Sequence, residues 1–366
     1  MYTKRNYSLR DMLRWTRYDI YRFILIALIP IILYYFLNWK WLHLPWLPIA
    51  LIGTAVAFII GFKNNASYGR LWEARMIWGG IVNASRSWTI MVKDFITNEF
   101  SEHKISEEEL NAIKKELVYR HIGWITALRH QMRESRPWEI FMTIKANKEY
   151  RRLYDIPEKN ISIEDDLKKH LFSEELSYIM KKSNKATQIL SLQSKQLKTL
   201  KLKGLIDDFR HMEMEKMLVE FYTLQGKSER IKNFPYPRQF ATLNRFFVWI
   251  FIFLLPFGIM HEFDKIGMTL LETLQENHMA YTATGQKIFE IIAKYFIWLS
   301  LPFSVIVAWV FHTMERIGET SENPFEGNAN DVPISTIANG IEIDIKEMID
   351  DENLPEKLKP KYDVQM

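Results

Sequence analysis

Four long stretches without a charged residue constrain this chain more than any other feature of its sequence. They cover residues 23–39, 41–62, 246–261 and 295–314. Each approaches or exceeds the roughly 17 to 25 residues that an α-helix needs to cross about 30 Å of hydrocarbon. Tryptophan and tyrosine gather near their ends, where amphipathic rings anchor at the level of the lipid headgroups. The sequence therefore predicts four membrane crossings, and a soluble protein with four such core helices is the weaker alternative.

The distribution of charge gives the predicted crossings an orientation. Six basic residues precede or flank the start of the first run, whereas the connection between the first two runs carries only Lys40. The connection over residues 262–294 holds more acidic than basic residues. By the positive-inside rule, both chain termini and residues 63–245 are predicted on the cytoplasmic side. The first run is too long for a signal-peptide core and lacks a small-residue cleavage site, so we expect it to be retained.

The middle of the chain has the periodicity of α-helices. In the stretch SEEELNAIKKELVYRHIGWITALRHQM, apolar residues recur at spacings of three and four, and Ser106 with Glu109 has the pattern of a capping box. Further helices are predicted over residues 68–96, 173–202, 206–225 and 341–349. We find no alternating segment bounded by Asn-Gly or Asp-Gly turns, which is the pattern typical of strands. We predict an all-α membrane protein in which four transmembrane helices join a helical cytosolic domain.

The predicted organisation has four segments. They are residues 1–97 (N-terminal segment, first two transmembrane helices and the helix leaving the bilayer), 98–240 (helical cytosolic domain), 241–322 (third and fourth transmembrane helices) and 323–366 (C-terminal belt and tail). The last dozen residues are charged and contain proline, so we expect them to be frayed.

Reactive groups are sparse and scattered. The chain has no cysteine, no HExxH pair, no phosphate-binding glycine loop and no G-x-S-x-G motif, and its nine histidines lack metal-ligand spacing. Within the four runs we single out His43 and His261 as titratable side chains, and both lie at run ends, which disfavours a proton-coupled pump. The net charge of +4 gives no reason to invoke nucleic acid. We therefore predict a protein that is not an enzyme and binds no metal or cofactor.

One short stretch of the second run, GTAVAFIIGFKNN over residues 53–65, has the pattern of a pore-lining helix. Small residues recur at every fourth position, which permits close packing of helices. A second file beside them consists of Thr54, Phe58 and Phe62, one helical turn apart. If several copies surrounded an axis, this file would form stacked phenylalanine rings, a constriction of the kind that gates by dewetting. The alternative is that both phenylalanines face lipid or the core of one bundle.

The residues that follow resemble the signature of the bestrophin family. In FIIGFKNNASYGRLWEAR, a Gly61–Phe62 pair precedes an Arg-Leu-Trp cluster at residues 70–72, and IWGGIVNASRSW is typical of the bacterial branch. The segment SLPFSVIVAWVFHTMERIGETSENPFEGNANDVPI resembles the family's last crossing and its Asn-Pro-Phe-Gly box, at residues 323–327 here. The resemblance covers nearly the whole chain.

This resemblance implies a homopentameric ion channel with one central pore. The second helix of each subunit would line the neck, with Phe58 and Phe62 at the two lower positions and Thr54 at the third, where the family commonly has an aliphatic residue. A second, cytosolic aperture would lie near Phe209, with Ile206 close by. The charges that set selectivity would lie in the vestibules. Our candidates are Lys63, Arg70, Asp207 and Asp208.

The resemblance also implies a location and partners, and this chain departs from the animal members in two respects. The chain would lie in the bacterial inner membrane and contact other copies of itself, membrane lipid and small inorganic ions. Animal members follow the box with aspartates that build a calcium clasp, but this chain offers only Glu326 and Asp331, so a structural belt is favoured over calcium control. Animal members conduct chloride, whereas bacterial members include cation conductors. The alternatives to an anion channel are a monovalent cation channel of the same architecture and a non-conducting membrane scaffold that binds cytosolic partners.

Overall fold

The computed structural model describes residues 1–276 and 283–366, and these residues form thirteen α-helices. The helices are α1 (Leu9–Phe36), α2 (Trp46–Phe95), α3 (Glu107–Arg133), α4 (Lys145–Arg151), α5 (Pro157–Asn160), α6 (Ile163–Leu167), α7 (Ser173–Met180), α8 (Lys185–Leu202), α9 (Asp208–Asn233), α10 (Arg238–Glu276), α11 (Ala283–Lys294), α12 (Ser300–Thr320) and α13 (Ile334–Glu347). Three short 3₁₀ helices cover Lys40–Leu42, Phe141–Thr143 and Phe296–Leu299. Within the described ranges, β pairing is limited to isolated bridges of Val364 with Tyr2 and Lys361. The predicted all-helical class is confirmed.

Four segments of the described chain are long and apolar enough to cross a bilayer, as predicted. They are Leu9–Phe36, Lys40–Phe95, Arg238–Leu274 and Phe296–Thr320. Helix α2 alone has 50 residues. At 1.5 Å per residue such a helix is about 75 Å long, whereas the hydrocarbon is only about 30 Å thick. The second crossing therefore continues without a break into the helix predicted over residues 68–96.

The chain divides into two compact units. The membrane unit comprises Asn6–Tyr68 and Tyr236–Thr320, and the second unit comprises Met1–Arg5, Gly69–Pro235 and Ser321–Met366. In the membrane unit, α1, α2, α10 and α12 bury an apolar core that includes Phe23, Val56, Phe251, Leu255 and Ala308.

The strip of small residues on α2 is only partly free for another copy. A Cβ atom on Gly53 would lie 2.6 Å from a ring carbon of Phe251, so α10 of the same chain already packs against this position. Ala57 and Gly61 are exposed, and no other atom lies within 4 Å of a Cβ built on Gly61. Gly53 therefore permits the close approach of α10 within one chain, whereas Ala57 and Gly61 remain exposed.

The core of the second unit is rich in tryptophan. Trp78, Trp88 and Trp124 are fully buried, and the Trp124 indole N–H donates to the Gln225 side-chain oxygen over 2.9 Å. His121 is buried beside Trp124, and burial lowers its pKa to about 3, so its ring is neutral at physiological pH. These residues come from α2, α3 and α9, which the core thereby joins.

Local capping explains where several of these helices begin. The Ser106 hydroxyl accepts a hydrogen bond from the Glu109 backbone N–H at the start of α3, as predicted. The single helix expected over residues 173–202 is two helices, α7 and α8, because the Asn184 side chain accepts from the Thr187 N–H and starts a new helix. The end of the chain is packed rather than frayed, since Val364 and Met366 are buried.

Candidate functional site on helix α2

Helix α2 has one buried stripe and one exposed file within the membrane unit. The buried stripe recurs every three or four residues and consists of Val56, Ile60, Lys63 and Ser67. Phe58 and Phe62 are 69% and 61% exposed, and Thr54 above them is exposed as well. The structure thus places the three predicted neck residues on one exposed face of α2. Their position around a shared pore remains a prediction.

The exposed file has a defined side-chain geometry. The rings of Phe58 and Phe62 meet edge to face, with their centroids 4.7 Å apart. The Thr54 hydroxyl donates to the Ala50 carbonyl oxygen one turn earlier, over 2.9 Å. Because the hydroxyl proton of Thr54 is bound by a carbonyl group of the same helix, Thr54 makes the exposed face less polar than a free hydroxyl would.

Lys63 is a buried ion-pair partner. Its ammonium lies 2.5 Å from Oε1 of Glu315 on α12, and the two side chains are 1% and 3% exposed. A charge held in this way has its field largely cancelled by its partner. The vestibule role predicted for Lys63 remains untested, and the visible role of this side chain is to join α2 to α12.

Arg70, in the second unit, binds backbone carbonyls. Its three guanidinium nitrogens donate to the carbonyl oxygens of Ile231, Phe234 and Glu322, each over 2.8 Å. Ile231 lies in the last turn of α9, where helical carbonyls lack partners within the helix and the helix dipole favours a cation. Arg70 therefore ties the end of α9 to the segment that precedes the Asn-Pro-Phe-Gly box.

The predicted aperture residues lie near the start of α9. Phe209 is 80% exposed, whereas Ile206 is buried in the core of the second unit. Asp207 is the N-cap, with its carboxylate accepting from the Arg210 N–H over 2.9 Å. Asp208 is exposed and pairs with Lys201, which holds the pKa of this carboxyl below its usual range. Of the two aperture candidates, only Phe209 presents its side chain to the surroundings.

The sequence reasoning did not find a second group of buried charges in the membrane unit. Asp19 on α1 pairs with Arg316 on α12, the Arg316 guanidinium lies 4.7 Å from the Trp15 ring centroid, and His312 Nε2 lies 3.5 Å from Asp19. A search for uncharged runs excludes Asp19, Glu315 and Arg316, because they lie just beyond the run ends, whereas His312 lies inside the run 295–314 and the sequence reasoning overlooked it. Their repetition at positions 312, 315 and 316, on adjoining faces of one helical end, is the signal that was available.

The Asn-Pro-Phe-Gly box is a closed backbone structure in the second unit. Asp331 accepts from the backbone N–H groups of Gly327 and Asn328 over 2.8 and 2.9 Å, and Arg133 donates to the Phe325 carbonyl over 2.9 Å. Gly327 has φ +92°, a backbone conformation that side chains disfavour. These contacts agree with a structural belt.

Two acids of the box are buried and hold their protons more strongly than usual. Burial and the neighbouring Asp331 raise the pKa of Glu326 to about 8, and burial raises that of Asp331 to about 6. In the part of the chain that the structure describes, no group of three or more His, Asp or Glu side chains is arranged to hold a metal ion.

Four apolar helices, one of which continues into a second helical unit and exposes a phenylalanine pair, define an all-α membrane protein. A family model described as the bacterial/fungal bestrophin protein matches residues 17–282 and 290–347. The chain therefore belongs to the bacterial and fungal bestrophin family, which confirms the resemblance drawn from its motifs.

Individual relatives are similar over most of their length. The voltage-dependent anion channel-forming protein YneE of Escherichia coli (strain K12) is 24% identical over 320 residues, which cover 87% of this chain and 82% of that protein. The voltage-dependent anion channel-forming protein RSc3414 of Ralstonia nicotianae is 25% identical over 322 residues, covering 85% and 83%. A crystal structure of a bacterial bestrophin homolog from Klebsiella pneumoniae superposes with a TM-score of 0.68 at 22% identity, covering 92% of this chain and 99% of that one. The structural similarity establishes the fold.

Proposed function

We propose that this chain is the subunit of a passive anion channel in which five identical copies surround one pore. The observation that carries the proposal is the asymmetry of α2, which buries one stripe and leaves two phenylalanines about two-thirds exposed on the other face. The relatives named as voltage-dependent anion channel-forming proteins support conduction and its sign. Thr54, Phe58 and Phe62 line the neck in this proposal.

The neck works as an apolar constriction. Ions that pass it lose contact with bulk water, and neither phenylalanine supplies a charge that compensates. Aromatic rings have positive edges and negative faces, so rings that turn their edges to the axis favour anions. The neck is therefore the resistive part of the pore, and the orientation of its rings biases the sign of the permeant ion.

A second constriction and the vestibule charges complete the proposed pore. Phe209 forms the cytosolic aperture, with Ile206 supporting the loop behind it from the core of the second unit. Asp207 and Asp208 lie beside this aperture, where Asp208 is the more exposed carboxylate. Lys63 and Arg70 act on the pore through the contacts that hold α2, because Glu315 and three carbonyl groups already bind their charges.

The proposed channel lies in the bacterial inner membrane with both termini in the cytoplasm. Its partners are its own copies, the surrounding lipid and the permeating ions. We keep four segments as functional divisions. Residues 1–97 hold the first two transmembrane helices and the helix leaving the bilayer, residues 98–240 the cytosolic domain, residues 241–322 the third and fourth transmembrane helices, and residues 323–366 the belt.

Reversal potentials test the proposal. Purified protein is reconstituted into planar bilayers under a KCl gradient, and currents are expected to reverse near the chloride equilibrium potential. Reversal near the potassium potential shows the cation channel and overturns the anionic sign. The same preparation is examined by native mass spectrometry, in which a pentamer is expected. A monomer or dimer without currents shows the non-conducting scaffold and overturns the channel.

A further inference from the structure

The buried pair Lys63–Glu315 lies directly beside the proposed neck. Lys63 follows Phe62 in the chain, and its ammonium reaches Oε1 of Glu315 over 2.5 Å in a region with almost no exposure. Burying two charges between apolar helices is costly unless each satisfies the other. This pair therefore has one well-defined partner arrangement, and any movement of α2 against α12 at this level breaks it.

Two further contacts bind the same helices together. The Ser67 hydroxyl donates to the Gly318 carbonyl oxygen over 2.8 Å. A Cβ atom on Gly318 would lie 2.1 Å from Oδ1 of Asn64, so a side chain there would require the Asn64 amide to move. Positions 63, 64 and 67 of α2 thus contact positions 315 and 318 of α12 within about one turn of each helix. This group of five residues is called the α2–α12 lock.

Because Lys63 and Phe62 are neighbours on one helix, a rotation of α2 at the lock also moves the Phe62 ring. Consecutive residues on an α-helix point about 100° apart, so the Phe62 ring and the Lys63 side chain turn together about the helix axis. The side-chain envelope of a helix has a radius of about 5 to 6 Å, so a rotation of about 20° moves the ring by about 2 Å. A displacement of this size in every copy is comparable to the radius of a small hydrated ion's first shell.

We propose that Lys63 and Glu315 are positioning residues that fix the rotation of α2 and thereby set the width of the neck at Phe62. This inference rests on the proposed function, since it requires Phe62 to line a pore. The pair acts through Phe62 and does not contact the ion. Its removal therefore changes conduction only while the Phe62 ring is present.

Single-channel recordings test this dependence. Lys63→Met, Glu315→Leu and the double variant are compared in the wild-type and Phe62→Ala backgrounds. In the wild-type background we expect at least a threefold change in single-channel conductance or open probability, and in the Phe62→Ala background less than a 1.5-fold change. Equal effects in both backgrounds, or no effect in either, overturn the proposal. The charge-swapped variant Lys63→Glu/Glu315→Lys is expected to restore wild-type values to within about twofold.

Two matched variants separate positioning from general stability. Gly318→Ala keeps both charges but crowds the Asn64 side chain at the contact between α2 and α12, and it is expected to change conduction in the same direction as Lys63→Met. Arg316→Met removes the neighbouring pair to Asp19, which joins α12 to α1 and not to α2. It is expected to lower the unfolding temperature and leave the single-channel conductance unchanged. If Arg316→Met changes the conductance as much as Lys63→Met does, the effect of Lys63→Met is due to general stability and the proposed role of the lock is overturned.

A readout without ion flow distinguishes failure of the lock from failure of the channel. Because the chain contains no cysteine, Phe62→Cys introduces its only thiol, and a bifunctional maleimide cross-linker joins the thiols of copies that surround one axis even where they are too far apart for a disulfide. We expect cross-linked dimers from Phe62→Cys and at least a threefold change in their rate of formation when Lys63→Met is added. Cross-linking at an unchanged rate overturns the lock alone. No cross-linking overturns the proposed neck and the lock with it.

Discussion

The rings of Phe58 and Phe62 meet at 89° on the exposed face of α2, with 4.7 Å between their centroids. An edge-to-face pair of this kind contributes about 0.5 to 1.5 kcal/mol beyond the burial of its area. Both rings are mostly exposed, so each restrains the other more than the core of the membrane unit restrains either. Two successive levels of the proposed neck are therefore coupled within each chain.

Removal of either ring is expected to widen the proposed neck. Phe58→Ala and Phe62→Ala should each raise conductance or open probability in planar bilayers. In a double-mutant cycle on the free energy of unfolding, the two substitutions should show a coupling of about 0.5 to 1.5 kcal/mol because the rings are in contact. Phe246→Ala on α10 is the control, since this phenylalanine is 60% exposed but lies outside the α2 file. Unchanged currents from both α2 variants would remove the neck assignment.

Thr54 is expected to behave as an apolar residue. Its hydroxyl already donates to the Ala50 carbonyl, so Thr54→Val removes an internal hydrogen bond and leaves the exposed methyl group in place. We expect conductance within about twofold of wild type and a loss of stability of at most about 1 kcal/mol. Thr54→Ala, which also removes the methyl group, serves as the comparison. A large rise in conductance from Thr54→Val would mean that the hydroxyl faces the permeating ion instead.

Arg70→Lys is expected to destabilise the protein although the charge is kept. A lysine ammonium cannot reach three carbonyl groups in the planar arrangement that the guanidinium provides, so at least one carbonyl loses its partner. The expected loss is on the order of 3 kcal/mol, measured by chemical or thermal unfolding. Arg75→Lys, at an exposed position of the same helix, should be neutral. Equal stability of the two variants would show that the three hydrogen bonds contribute little.

Glu326 is expected to make stability depend on pH. In the folded chain its pKa is raised to about 8, whereas an unfolded chain has an ordinary glutamate pKa of about 4.3. The folded state therefore binds more protons between these values, and stability falls as pH rises through that window. Glu326→Gln mimics the protonated form. The free energy of unfolding of this variant should therefore exceed that of wild type by an amount that grows from about pH 5 to about pH 9 and reaches a few kcal/mol.

The measurement for Glu326 is the unfolding temperature of both proteins across that pH range. Taking the difference between variant and wild type cancels the contributions of groups that do not interact with Glu326, such as His121 and His170, whose pKa values are lowered by burial, and leaves those of Glu326 and the neighbouring Asp331. Glu220→Gln on the exposed face of α9 is the matched control. Curves for Glu326→Gln and wild type that stay parallel at every pH would contradict a raised pKa.

Local patterns in the sequence were sufficient to predict most of the fold. The four crossings follow from the length of uncharged runs, and the Thr54, Phe58 and Phe62 file follows from a spacing of four on one helix. Both depend on neighbours in the chain. The start of α8 was also readable, because Asn184 followed by Thr187 is an N-cap pattern, yet the apolar periodicity on both sides hid it.

Partners that are distant in the chain were not predictable. Lys63 and Glu315 are 252 residues apart, and the three carbonyl groups that bind Arg70 are 161 to 252 residues away from it. Periodicity shows which side of a helix is buried but not which residue of another helix lies opposite. A basic residue beside a predicted pore therefore suggests a vestibule charge, whereas the structure shows that both candidates on α2 are bound by other elements.

Many charged contacts between the described residues pair an acid with a base, but Arg70 binds only dipoles in the three contacts described above. A guanidinium keeps its proton at every pH that a cell meets, and a carbonyl group has none to gain. Dissolved salt weakens the attraction between exposed opposite charges, yet it has far less effect on short hydrogen bonds to neutral oxygens. Acid stress or a rise in salt concentration would therefore loosen the exposed carboxylate bridges of this protein while the three hydrogen bonds of Arg70 held.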